Sequence, residues 1–289
     1  MLDCTGILSG PCISLSLPLV ITVEMIKMNA TNYQLDFTSV TEHGGELVSR
    51  AQLERFYQRY IWAGTFARDL DVLELACGTG PGLGYLQSVS RSLVAADISP
   101  QVLAAARTHY GHRVDLRLID ACKTNLDASS FDVVILFEAI YYLTDVNAFF
   151  LEMTRILRPG GRLLIATANK DLFDFNPSPF SNHYFNPPEL KELLSRLGFE
   201  ASFFGGSPVL TGGLKSRFIR VAKRLAARYR LIPGSMSGKR LFKRLLFGPL
   251  VTMPLELDPS NVEYAAPESI PSDKPDTRHQ VLYCIARKT

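Results

Sequence analysis

"VLELACGTGPG", Val72 to Gly82, is the stretch on which the reading of the fold turns. Apolar residues surround one carboxylate, Glu74, and the chain then runs directly into small residues and glycines. A short apolar run that stops on glycine is the pattern of a buried strand breaking into a tight turn. Glycine in such a turn lets a ligand approach the main chain without meeting a Cβ atom. A buried strand and a bared backbone are therefore expected side by side.

The same punctuation repeats downstream. Short β-branched runs, "DVLELA" from Asp71, "SLVAAD" from Ser92, "RVDLRLID" from Arg113, "FDVVILFE" from Phe131 and "GRLLIATA" from Gly161, have the length of buried parallel strands. Helical periodicity separates them, over Gln101 to His109 and over Val146 to Leu157, and an amphipathic helix over Leu47 to Phe66 carries Leu53, Phe56, Tyr57, Tyr60 and Ile61 on its apolar face. Strands alternating with helices predict an α/β fold, a doubly wound, seven-stranded and mostly parallel sheet. "HQVLYCIARK" closes it, antiparallel beside "FEASFFGG". Ligands of such sheets sit beyond the carboxyl ends of the strands, where the glycines of the quoted stretch fall.

With 289 residues and 47% apolar composition the chain can bury a large core. One domain over 31–289 is expected, after an extension over 1–30 read as disordered. Cys12 to Val23 has the apolar character of a secretion signal, but Asp3 rather than a base precedes it and Pro18 interrupts it. Translation from Met25 or Met28 is the competing account of that segment. Five scattered cysteines without zinc spacing read as reduced thiols in a cytoplasmic protein, with no metal site.

Four segments in order, Glu74-Leu75-Ala76-Cys77-Gly78-Thr79-Gly80, Asp97 in "VAADIS", "IDAC" from Ile119 and "LRPGGRLLIATAN" from Leu157, resemble the motifs of the class I S-adenosylmethionine-dependent methyltransferases. Ala76 stands where that family more often has glycine. The resemblance implies S-adenosylmethionine as cosubstrate. It implies cofactor contacts from Glu74, Ala76, Cys77, Gly78, Gly80, Asp97, Ile98, Asp120, Ala121 and Glu138, with Asp97 on the ribose hydroxyls and Asp120 on the adenine amino group. Asp97 is expected to find its partners in the ligand. Pro159-Gly160-Gly161 reads as a turn without chemistry.

Candidate catalytic groups follow the fourth and fifth strands. In "FEAIYYL" Tyr142 takes the place where quinone-biosynthesis relatives often have histidine, and Tyr141 or Tyr142 can face a sulfonium or simply pack in the core. His183, before the helix opened by "NPPE", is the candidate general base because histidine titrates near neutral pH; a solvated or capping histidine is the competing reading.

Between Glu200 and Glu256 the chain holds eleven of its 31 bases and no acid, which leaves the remainder net acidic. The bases fall on two amphipathic stretches within 215–247, expected to meet a small-molecule acceptor that is anionic or lipid-linked, or to touch an anionic membrane peripherally. Nucleic acid is not expected. Residues 207–279 are read as an acceptor-selecting lid. Two other functions compete: a catalytically silent module docking on anionic membranes, and a nicotinamide-dependent oxidoreductase. Leu83 weighs against the latter, because it breaks the G-x-G-x-x-G spacing.

Overall fold

The structure, a computed structural model, describes residues 41–178, 180–209 and 249–289. The N-terminal extension and the basic stretch 215–247 lie outside the described residues. A central sheet runs in the order β4-β3-β2-β5-β6-β10-β7-β9. Its members are β2 (Asp71–Leu75), β3 (Ser92–Asp97), β4 (Asp115–Leu118), β5 (Phe131–Phe137), β6 (Leu157–Ala168), β7 (Phe199–Pro208), β9 (Glu268–Ser269) and β10 (His279–Lys288). The first five pair in parallel, and β10 lies antiparallel between β6 and β7. Seven strands are the expected ones, and β9 adds two residues at the edge beside β7.

Both faces of the sheet are covered, which is why its central strands read as continuous apolar runs. On one face α1 (Arg50–Ala67), α2 (Leu83–Val89) and α3 (Pro100–Tyr110) bury Phe56, Trp62, Leu86 and Leu103 against Val72 and Ile135. On the other, α4 (Val146–Ile156) and α5 (Pro187–Arg196) bury Phe149, Phe150, Met153, Leu190 and Leu194 against Leu73 and Leu163. Four of the five α-helix starts described carry a side-chain cap, Leu83–Val89 being the exception. Ser99 and Asp145 accept from the backbone N–H groups of Val102 and Ala148, and Asn186 with Glu189 forms a capping box.

Three sequence expectations are corrected. The first helix starts at Arg50 rather than Leu47, because Ser49 caps it and Leu47–Ser49 forms a strand, β1, paired antiparallel with β8 (Leu250–Thr252). Its buried face also differs: Phe56, Arg59, Tyr60, Trp62 and Ala63 are inside, whereas Tyr57 and Ile61 are only partly covered. Pro159-Gly160-Gly161 is a bulge within β6 and not a turn before it, since Leu157 already pairs with Phe131 and the register resumes at Arg162 with Val133.

The glycines after β2 are filled mainly by protein. A Cβ on Gly80 would strike Leu83 and Tyr110, one on Gly82 the Tyr60 ring, and one on Gly84 the Glu256 carboxylate. A Cβ on Gly78 would meet only the Thr41 methyl, at 3.0 Å, among the described residues. Gly82 has an ordinary φ of −90°, so its need for glycine is purely steric. Gly82→Ala is expected to cost about 1–3 kcal/mol by overpacking against a buried ring. Gly64→Ala, whose methyl meets the movable, half-buried Tyr85 side chain, is expected to be near neutral. Denaturant unfolding of both variants checks the contrast.

Candidate active site

Strand β2 delivers the chain into a turn that needs three left-handed residues within five: Ala76 (φ 56°), Gly78 (φ 63°) and Gly80 (φ 80°). Ala76 holds this conformation with a Cβ, at a cost of about 1–2 kcal/mol that glycine would not incur. The neighbours hold the turn in place. The N–H of Cys77 donates to the Ala96 carbonyl at 2.9 Å, and the Tyr110 hydroxyl donates to the Gly80 carbonyl at 2.7 Å.

Asp97 ends β3 beneath that turn, buried at 8% exposure. One carboxylate oxygen accepts the Gly78 N–H at 3.0 Å and the other accepts the Ser99 N–H at 2.8 Å. Burial raises its pKa, opposed by the N–H groups of Ser99, Gly78 and Ile98. The expectation that Asp97 finds its partners in the ligand is thus corrected, because it also binds two protein amides. Beside it Ile98 and Leu118 expose much of their apolar side chains. Asp120 and Ala121 follow β4, which ends at Leu118 rather than Asp120, and the Asp120 carboxylate accepts from Cys122 N at 2.8 Å.

Glu74 is nearly sealed, at 1% exposure. Its Oε1 accepts from the Tyr60 hydroxyl at 2.6 Å, and its Oε2 has no hydrogen-bond partner. Burial pushes its pKa up to about 8, against the Tyr60 hydrogen bond and the Arg59 charge. Burial likewise raises the Cys77 thiol, helped by the nearby Glu74 and Asp97.

Arg59 is a site residue that the sequence reading missed. Its guanidinium donates to Glu42 at 2.8 Å and to Glu138 at 3.1 Å, although its side chain is only 7% exposed. Burial disfavours its charge, but the two carboxylates outweigh that and keep it firmly cationic. The available signal was a base on the aromatic face of the first helix, between Phe56 and Tyr60. Glu138 leaves β5 in a left-handed conformation (φ 51°) and also accepts from the Tyr141 hydroxyl at 3.1 Å. Glu42 in turn lies over the glycine turn, where its carbonyl accepts from the Thr79 hydroxyl at 2.9 Å.

The aromatic candidates gather above β5. Tyr141 is buried and stacks on Tyr184 with ring centroids 4.3 Å apart. The Tyr142 hydroxyl meets Ser178 at 2.5 Å, and Asn182 is tied to the carbonyls of Tyr141, Tyr142 and Leu143. Ser178 and Asn182 are thereby tied to the 3₁₀ turn Ile140–Tyr142 and to Leu143 after it. His183 points the other way in its contacts. Its side chain is 59% exposed, its ring meets Phe185 edge-on at 4.5 Å, and its Nε2 lies 3.7 Å from Glu189, which Lys170 also pairs. The structure thus brings Glu138, Tyr141 and Tyr142 together and sets His183 at the head of α5.

Residues 73–165 match the family described as "Methyltransferase domain". A Mycolicibacterium smegmatis protein named "Probable S-adenosylmethionine-dependent methyltransferase" is 38% identical over 134 residues, 45% of this chain and 52% of that one. A ubiquinone biosynthesis O-methyltransferase of Sinorhizobium medicae is 33% identical over 106 residues, 36% of this chain and 43% of that one. The chain thus spans about half the length of the curated relatives it matches. Among solved structures, a SAM-dependent methyltransferase from Thermotoga maritima superposes with a TM-score of 0.52 at 16% identity, over 82% of this chain and 92% of that one. The [4+2]-cyclase SpnF does so with a TM-score of 0.52 at 17% identity, over 86% of each chain. At such identities the superpositions speak for the fold alone. Residues 73–165, which hold the glycine turn and Asp97, are thus similar to the methyltransferase domain family.

Proposed function

We propose that this chain transfers a methyl group from S-adenosylmethionine to a small-molecule acceptor, by in-line displacement above the carboxyl ends of β2, β3 and β5. The observation that carries the reading is the turn after β2. It presents Gly78, where a Cβ would meet only the Thr41 methyl among the described residues, and it is clamped by Asp97 and floored by a buried carboxylate with an unpartnered oxygen.

The residues present fit such a cosubstrate. Each Asp97 oxygen accepts one protein N–H and keeps lone-pair capacity for ribose hydroxyls. Ile98 and Leu118 offer apolar surface to a base beside Asp120 and the Ala121 amide. When bound, S-adenosylmethionine supplies an electrophilic methyl group on a sulfonium. The chain's share is then mostly orientation, which can supply about 7–11 kcal/mol of a barrier when the reacting atoms are held in line. Tyr141, Tyr142 and Tyr184 wall the acceptor side, and Glu138 is held there by Arg59 and Tyr141.

A small-molecule acceptor is supported by the relatives named as O-methyltransferases. For an acceptor that must lose a proton, His183 is the proposed base; its exposure leaves the ring able to turn from Glu189 toward the acceptor. An anionic or lipid-linked acceptor is favoured by the concentration of eleven bases between Glu200 and Glu256. No helix among the described residues is long and apolar enough to cross a membrane.

Three measurements test these assignments. Asp97→Ala is expected to weaken S-adenosylmethionine binding by about 1.5–3 kcal/mol, the worth of a hydrogen bond to a charged group, and also to lower stability by leaving the buried Ser99 N–H and the half-buried Gly78 N–H unpaired. Calorimetry with S-adenosylmethionine and with NAD, on protein shown to be folded, checks both; binding of NAD alone overturns the reading. His183→Ala is expected to flatten the acidic limb of the rate-pH profile while cosubstrate affinity stays constant. An unchanged profile returns His183 to the helix head as a solvated side chain. Cosedimentation is expected with anionic and not neutral vesicles, fading as salt shortens the Debye length from about 10 Å at 0.1 M to about 3 Å at 1 M. Equal behaviour toward both vesicles leaves the basic stretch to the acceptor alone.

A further inference from the structure

Glu74 has a charge problem that the proposed reaction does not address. Its carboxyl group is 1% exposed, has a single donor in Tyr60, and keeps one oxygen with no partner. A buried carboxylate needs several donors or a dedicated cation to remain ionised, because desolvation penalises the charged form. Among the described residues no dedicated cation is in place. Arg59, from the same helix as Tyr60, spends its two terminal nitrogens on Glu42 and Glu138.

The other groups facing Glu74 deepen the imbalance. From the turn comes the Cys77 thiol, from β3 the Asp97 carboxylate, and from α3 the Tyr110 hydroxyl. None of these is a base. With every carboxyl ionised, Glu42 and Glu138 would share the Arg59 guanidinium, and Glu74 would face a second anion in Asp97. Of these carboxyls Glu74 is the most deeply buried, and unlike Asp97 it accepts no backbone N–H among the described residues.

We infer that Glu74 is protonated in the free protein and releases that proton to solvent when a cosubstrate of net positive charge binds above it. The inference rests on the proposed binding of S-adenosylmethionine, whose sulfonium gives it one positive charge beyond its balanced amino and carboxyl groups. Before binding, a neutral carboxyl avoids the cost of a lone buried anion. Afterwards the ligand's cation supplies the missing partner, and the ionised form becomes the favoured one. The proton leaves to bulk water, so no other group need accept it. Burial of Glu74, which places its titration at about pH 8, agrees with this order of events. The sign follows: below that pH binding must expel a proton, so affinity rises with pH and levels off once Glu74 is already ionised.

The test is calorimetric titration of the full chain with S-adenosylmethionine at pH 7, in two buffers of different ionisation enthalpy. The difference in apparent binding enthalpy counts the protons released. About one proton per site is expected, with affinity rising nearly tenfold from pH 6 to pH 7 and levelling above about pH 8. Glu74→Gln, which keeps an acceptor for Tyr60, is expected to bind more weakly, to release no proton and to lose the pH dependence. Binding without proton release in the native protein overturns the inference and means that Arg59 already keeps Glu74 ionised. Release that persists in Glu74→Gln overturns it too, by moving the proton to another group such as Asp97. Absence of binding at every pH instead counts against the proposed cosubstrate, so the two failures are distinct.

Discussion

A carboxylate at the end of one strand holds the turn that leaves its neighbour. Asp97 accepts the Gly78 N–H with one oxygen and the Ser99 N–H with the other, so the same group fixes the glycine turn after β2 and the entry to α3. The Ser99 N–H would otherwise be buried without a partner, at a cost of about 1–3 kcal/mol, and the half-buried Gly78 N–H would lose its anchor. The turn is strained by Ala76 and cannot choose its shape alone. Everything a ligand would meet above β2 and β3 is therefore referred to the position of one side chain. Catalysis by orientation needs that kind of reference point.

The second organising charge is Arg59. It joins three parts of the chain far apart in sequence: the segment at Glu42 that lies on Thr79, the first helix, and Glu138 at the exit of β5. A buried ion pair is weak grounds for stability, because desolvation offsets much of the attraction, but removing one partner strands the other. Its consequence here is geometric. Glu138 sits in a left-handed conformation at the exit of β5, and Arg59 with Tyr141 supplies contacts that keep it there. The two terminal nitrogens of the same guanidinium are taken by Glu42 and Glu138, and among the described residues neither of them bonds Glu74.

The far end of the sheet is built differently. Arg91 and Arg158 each bridge Asp71 and Asp132 where β2 and β5 begin. Arg91, the more exposed of the two bases, is 56% accessible, so its pairs are solvent-screened and worth little individually. Water is available at that end to satisfy whatever the pairs do not. At the carboxyl ends, by contrast, Glu74 and Asp97 are buried and Glu42 and Glu138 converge on one guanidinium.

The sheet was legible in the sequence because its signals are local. β-branched runs such as Phe131–Phe137, glycines after Leu75 and an Asp closing "SLVAAD" each act within a few residues, through backbone sterics and burial of both strand faces. The order of motifs then pointed to the carboxyl ends of β2 and β3, where the glycine turn and Asp97 meet. What the sequence left open depends on contacts between distant segments. Leu47–Ser49 becomes a strand because Leu250–Thr252 lies beside it, and Arg59 turns inward because Glu42 and Glu138 await it. Gly82 must be glycine for Tyr60, not for a ligand. Helical and strand periodicity reports which face is apolar, but not which distant group will meet it. The tertiary structure alone decided those partners, and with them the charge balance around Glu74.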